Sequence, residues 1–149
     1  MRISAKEDYA LRAAVELAAA APDVLKRDLI ASAQDIPAAF LETILLELKR
    51  AEIVEAQRGP EGGFRLARDA DDISVADVIR AVSGPLATVR GVRPPALEYE
   101  GAAVDVPKLW IALRASIRGV LETVTLADLA GGKLPARIRR LAEDPAHWE

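Results

Sequence analysis

Residues 36–66 read IPAAFLETILLELKRAEIVEAQRGPEGGFRL. The spacing predicts a helix from Pro37 to about Ala51, followed at once by a hairpin. Pro37 suits a first helical turn, where its missing N–H is not needed. On a 3.6-residue wheel, Leu41, Ile44, Leu45 and Leu48 share one side. Ala39, Thr43, Leu46 and Arg50 share the other, flanked by Glu42. Ile53 and Val54 begin a short strand, and Phe64-Arg65-Leu66 alternates apolar and basic, as a half-exposed strand does.

The turn between the strands is Arg58-Gly59-Pro60-Glu61-Gly62-Gly63. Its glycines are expected to adopt backbone conformations closed to other residues, and Pro60 fixes its own φ. Arg58 and Arg65 are expected to project from a tight tip. A helix with a small outer face beside a basic, glycine-rich hairpin is what a winged helix requires. The helix suits a major groove, and the hairpin suits neighbouring phosphates or the minor groove. An ordinary helix–hairpin unit with a glycine turn would satisfy the same residues.

Upstream, a second helix is predicted over Lys26 to Gln34, burying Leu29, Ile30 and Ala33. Two short helices joined by a tight turn at Gln34-Asp35, the second amphipathic, make a helix-turn-helix. Lys26 and Arg27 are either phosphate contacts or solvated charges. Ser4-Ala5-Lys6-Glu7 is a capping box that starts the first helix. That helix runs through Tyr9, Ala13 and Leu17 to an alanine run that Pro22 ends. Tyr9 reads as a packed ring with a polar tip, with a phosphate contact as the alternative.

Downstream, Ser74-Val75-Ala76-Asp77 is another capping box, and Val75, Val78, Ile79 and Val82 form one apolar stripe before Gly84-Pro85. Residues 86–104 read as a loop, and a loop of that length is usually functional or mobile. Asp105 then caps a long helix with Pro107 in its first turn. Leu109, Leu113, Ile117, Val120, Leu121 and Val124 are expected to form its apolar face. A second copy of the same helix is the natural cover for that face, and packing within the chain is the alternative. Thr125-Leu126-Ala127-Asp128 is a further capping box. Beyond Gly131-Gly132 the charged tail is expected to be mobile.

The 149 residues suit one domain, or one domain with an extension, and 51% are hydrophobic while only 4% are aromatic. There is no Cys, which excludes disulfides, thiolate nucleophiles and cysteine-held metal or iron–sulfur sites. No apolar run approaches the ~20 residues of a membrane span. No signal-peptide core follows Met1-Arg2-Ile3-Ser4, so a soluble cytoplasmic protein is expected. Net charge is −3 and the pI is 5.3. The first 68 residues carry ten Lys/Arg against eleven Asp/Glu. A nucleic-acid surface must then arise by segregating charges on the fold.

Enzyme chemistry finds no support. His147, in the tail, is the only His, and no nucleophile–base set accompanies it. Gly131-Gly132-Lys133 lacks the spacing of a phosphate-binding loop.

The chain resembles the Rrf-two (IscR-like) family of winged-helix transcription regulators. The resemblance rests on Tyr9-Ala10, on Ile36-Pro37-Ala38-Ala39-Phe40-Leu41-Glu42 and on Arg58-Gly59-Pro60-Glu61-Gly62-Gly63-Phe64. It continues through Ile73-Ser74-Val75-Ala76-Asp77-Val78-Ile79 to Leu126-Ala127-Asp128-Leu129. It implies a mainly α fold with a small β-hairpin and a long C-terminal dimerisation helix. It also implies a homodimeric repressor or activator binding a palindromic operator in double-stranded DNA. The organisation it suggests is a DNA-binding domain over 1–84, a sensing loop over 85–106, a dimerisation region over 107–130 and a tail over 131–149.

By position, Phe40, Glu42 and Thr43 match family residues that face DNA, and Arg58, Gly59, Pro60, Glu61, Gly62 and Gly63 match the wing; Ala39, Arg50 and Arg65 complete the candidate DNA-binding set. Glu42 could accept from a cytosine N4, and Thr43 or Ala39 could touch a thymine methyl. Glu42 has an alternative role as a first-turn carboxylate favoured by the helix dipole. Many members hold an iron–sulfur cluster on three cysteines in the loop matching Val89 to Val106. This chain has none there, so no cofactor is expected. Glu98, Glu100 and Asp105 would hold a hard cation or form an ordinary solvated acidic loop. An effector, small ligand or protein, would sit between the 86–104 loop and the long helix. The competing function is a protein-interaction module that keeps the winged-helix shape without binding DNA.

Overall fold

The computed structural model describes residues 2–149. The helices are α1 (Ala5–Ala20), α2 (Arg27–Gln34), α3 (Ala38–Arg50), α4 (Val75–Ser83), α5 (Val106–Leu121), α6 (Leu126–Ala130) and α7 (Ala136–Glu143). The hairpin is β1 (Val54–Gln57) and β2 (Gly63–Leu66), paired antiparallel with Glu55 opposite Arg65 and Ala56 opposite Phe64. The fold is therefore mainly α with one small hairpin, a winged helix-turn-helix followed by a long helix.

The predicted capping boxes all form. Ser4 Oγ accepts from Glu7 N at 3.2 Å and Ser4 N donates back to Glu7 Oε2 at 2.7 Å. Ser74 with Asp77 and Thr125 with Asp128 repeat the pattern at 2.9–3.1 Å. Each pair satisfies N–H groups that a helix start leaves without partners.

α1 runs through the centre. Its buried side chains are Ala10, Ala13, Ala14 and Leu17. Three of these four are alanines, so α3, α4 and α6 can pack close to its backbone. The core around it contains Ile30, Ile36, Leu41, Ile44, Leu45, Leu48, Ile53, Ile73, Val78 and Leu126. No polar or charged residue is buried among the described residues.

α2 and α3 meet at 118°, the geometry of a helix-turn-helix. The turn passes through Asp35 in the left-handed region at φ 50°, and Ile36 N donates to Ala31 O at 3.0 Å. Of the three α2 residues expected inside, only Ile30 is buried. Leu29 is 59% exposed and Ala33 is also exposed. An eight-residue helix offers two turns, and Ala31 and Ile36 pack against the core in their place.

A second, smaller cluster gathers Val75, Val124 and Ile138, with Leu11, Val120 and Leu121 against it. It corrects two expectations. The segment read as a mobile tail includes α7, whose Ile138 is buried against Val75 and Val124. Val124 does not continue the α5 face. The helix ends at Leu121, and the chain turns so that Val124 O accepts from Val75 N at 2.9 Å. α4 and α5 are further tied by Glu122, which accepts from Arg80 and, at 2.9 Å, from Arg118 Nε. No single helix is long and apolar enough to cross a membrane.

Candidate nucleic-acid interface

α3 turns Leu41, Ile44, Leu45 and Leu48 inward, and all four are buried. Ala39, Glu42, Thr43, Leu46, Lys49 and Arg50 are exposed on the remaining surface. Several contacts hold the helix from behind. The Phe40 ring, 52% exposed, meets the Tyr9 ring edge to face at 5.9 Å and 72°. Tyr9 is in turn covered by the Arg12 guanidinium at 5.0 Å, so it is the packed ring the sequence suggests. Arg12 also donates to the Gln34 carbonyl at 2.6 Å, which fixes the end of α2 against α1. Further along α3, Lys6 Nζ bonds Glu47 Oε1 at 2.9 Å. The contact spans 41 residues, so no local pattern in the sequence announces it.

The polar groups on the outer face are partly engaged. Glu42 lies 3.5 Å from Arg27 Nη1, so its negative charge is balanced. Thr43 Oγ1 donates to Ala39 O at 3.4 Å, back into its own helix. Lys26, Lys49, Arg50 and Arg58 are exposed and form no ion pair among the described residues. A groove of about 680 Å3 runs between the start of α2, α3 and the hairpin, with Lys26, Arg27 and Lys49 along it. Asp28 and Glu42 line the same groove and are both paired with Arg27, so Lys26 and Lys49 are the charges left unpaired along it among the described residues.

The hairpin is more than two strands. Leu25 pairs with Phe64 on the free side of β2, with N–O distances of 2.8 and 2.7 Å. That pairing explains Gly63, whose Cβ would lie 2.5 Å from Leu25 O. A Cβ on Gly62 would collide with the Gln57 carbonyl oxygen. Only Gly59 has a left-handed backbone, at φ +100°. The three glycines were expected to share one reason, unusual φ. Two of them serve close approach instead. Arg58 stands exposed beside Gly59 at the tip with Pro60 and Glu61. Arg65 does not project from the tip as expected. Its Nε donates to Glu55 Oε1 at 2.6 Å across the hairpin, the salt bridge favoured by opposite charges in register.

α5 has only Pro107 buried. Leu109 is 60% and Ile111 42% exposed, and Leu113 and Ile117 are half-buried. Val120 and Leu121 pack against the second cluster of their own chain. Between α5, the end of α4 and the start of α1 lies an open-sided cavity of about 790 Å3. Ile3, Glu7, Ile79, Ser83, Leu86, Ser116 and Ile117 are among its walls. Burial pushes the Glu7 carboxyl up, but hydrogen bonds from Ser4 and Ser83 outweigh it and hold the group below the usual Glu value.

A helix-turn-helix with a cation-rimmed outer helix and a wing defines a DNA-binding transcription regulator. The chain belongs to the Rrf2 family, described as "Iron-dependent Transcriptional regulator", which matches residues 3–132. A Mycobacterium tuberculosis protein carrying the name of an HTH-type transcriptional regulator is 50% identical over 145 residues, 97% of this chain and 90% of that protein. CymR of Bacillus subtilis is 35% identical over 133 residues, 87% of this chain and 90% of its own length. The solved structure of B. subtilis CymR, named there the global cysteine regulator, matches with a TM-score of 0.75 at 32% identity. It covers 90% of this chain and 99% of that one. IscR of T. potens matches with a TM-score of 0.72 at 26% identity over 93% of this chain and 96% of that one.

The family description names iron, and the residues here do not fit a thiolate-held cluster. The chain has no Cys. Among the described residues no three His, Cys, Asp or Glu are gathered as ligands would be. Glu98, Glu100 and Asp105 are not brought together as a ligand set among the described residues. Asp105 instead pairs with Lys108 at 2.6 Å.

Proposed function

We propose that this chain is a cytoplasmic homodimeric repressor that binds a palindromic operator without an iron–sulfur cluster. The observation that carries the dimer is α5, a sixteen-residue helix with a single buried residue, on one side of which Leu109 is open to water and Leu113 and Ile117 are only half-buried. Such a face is covered most simply by its own two-fold copy. Each subunit then offers one α3 and one wing, and the half-sites lie roughly 34 Å apart, one turn of B-DNA. In this reading α3 enters the major groove with Ala39, Glu42 and Thr43 toward the bases. Arg50, Arg58 and the Lys26–Lys49 rim take phosphates.

The cavity beside Glu7 is the effector pocket in this reading. An occupant would touch α5 on one side and α1 on the other. α1 carries Lys6, and Lys6 holds α3 through Glu47. Binding there would bias the spacing and the aim of the two recognition helices together.

The test is a low-salt gel shift over genomic fragments, including the gene's own promoter, alongside sedimentation of the free protein. The expected result is salt-dependent capture of specific fragments by a dimer. Leu109→Asp should give a folded monomer that loses specific binding. A native protein that sediments as a monomer and captures no fragment would end the proposal.

A further inference from the structure

The outer stripe of α3 is short of free hydrogen-bonding groups. Glu42 faces Arg27, and the Thr43 hydroxyl donates to Ala39 O at 3.4 Å. In the middle of that stripe stands Leu46, 47% exposed and opposite the buried Leu48 and Leu41 side. It lines the same groove as Thr43, Lys49 and Phe64. A single exposed leucine is ordinary. This one lies between the groups that would reach bases and the cations that would reach phosphates.

The only apolar group on a base edge in the major groove is the thymine 5-methyl. Resting on the operator-binding reading above, we infer that Leu46, together with Ala39 and the Thr43 methyl, forms an apolar seat for thymine methyl groups. Recognition at those base pairs is by shape and dehydration rather than by a bidentate hydrogen bond. The seat prefers thymine to cytosine because cytosine lacks the methyl that fills it. The unpaired rim of Lys26, Lys49 and Arg50 argues for a polyanion as the occupant, not a second apolar protein surface.

The experiment uses the full-length native protein and a bound genomic fragment trimmed to its footprint. Each dT in a half-site is replaced in turn by deoxyuridine, which removes the methyl and keeps base pairing. The expected result is a loss of about fourfold in affinity at one or two positions per half-site, the size of one buried methyl. Leu46→Ala should bind the dT operator more weakly and show a smaller deoxyuridine penalty at those positions, since Ala39 and the Thr43 methyl remain. Its melting temperature should match the native protein, because the side chain is outside the core. Native protein that binds every deoxyuridine duplex equally well would overturn the inference and leave operator binding standing. So would Leu46→Ala protein that keeps the full deoxyuridine penalty. Failure to capture any DNA would overturn both.

Discussion

Lys6 Nζ lies 2.9 Å from Glu47 Oε1, so the first turn of α1 is fastened to the back of α3. Both side chains are about three-quarters to two-thirds covered, and the other Glu47 carboxylate oxygen has no hydrogen-bond partner among the described residues. Exposed ion pairs contribute about 0–1 kcal/mol; this mostly covered pair contributes somewhat more, because removing Lys6 leaves the Glu47 carboxylate without a partner, but its position makes orientation of α3 its main effect. Lys6→Ala should therefore lower DNA affinity several-fold while shifting the melting temperature by only a few degrees. A thermal melt beside a binding titration checks this. A large melting shift with unchanged affinity would contradict it.

Arg58 makes no ion pair among the described residues, whereas Arg65 is held by Glu55. Arg58→Ala should weaken binding to all sequences and reduce the salt slope by about one unit. Arg65→Ala should change the salt slope less. Titrations at several salt concentrations separate the two arginines.

Gly63→Ala would push a Cβ to 2.5 Å from the Leu25 carbonyl oxygen. Backbone must move to relieve that, at a cost of about 1–3 kcal/mol. Gly59→Ala has open space around it and meets only the left-handed φ of +100°, so its cost should be about 1–2 kcal/mol. Urea unfolding of the two variants should rank them in that order.

Glu122 accepts from Arg118 and Arg80, and these bonds hold its carboxyl below the usual Glu value of 4.5. A depressed carboxylate stabilises the fold fully above its unfolded pKa and loses that contribution as pH falls through the folded pKa. The α4–α5 tie should thus be intact at neutral pH and released only in acid, below the ordinary Glu range. Glu122→Gln should flatten this acid limb of a stability–pH curve and leave the alkaline limb unchanged.

Much of the fold is legible in local sequence because its signals are local. Ser4/Glu7, Ser74/Asp77 and Thr125/Asp128 announce three helix starts within four residues each. The Leu41–Leu48 stripe fixes which side of α3 faces the core. What escapes is set by partners distant in the chain. Leu25 pairs with Phe64, and nothing near Leu25 signals a strand. Ala33 has the spacing of a buried residue but lies on a two-turn helix with too little surface to cover it. Val124 continues the apolar period of α5 on paper, yet the helix ends at Leu121 and the Val124 carbonyl accepts from Val75 N instead. In the candidate interface, residue types were readable but pairing was not. Arg65 and Arg58 look alike in sequence, and only the register opposite Glu55 tells them apart.

The Leu25–Phe64 pairing has a mechanical corollary. It stitches the hairpin to the segment that leads into α2, so the hairpin and the helical pair share one continuous hydrogen-bonded frame. The two backbone hydrogen bonds at that seam resist separate movement of the hairpin and α2. In the proposed dimer, control of operator affinity then resides in the distance and tilt between two stiff halves, as with the jaws of a caliper.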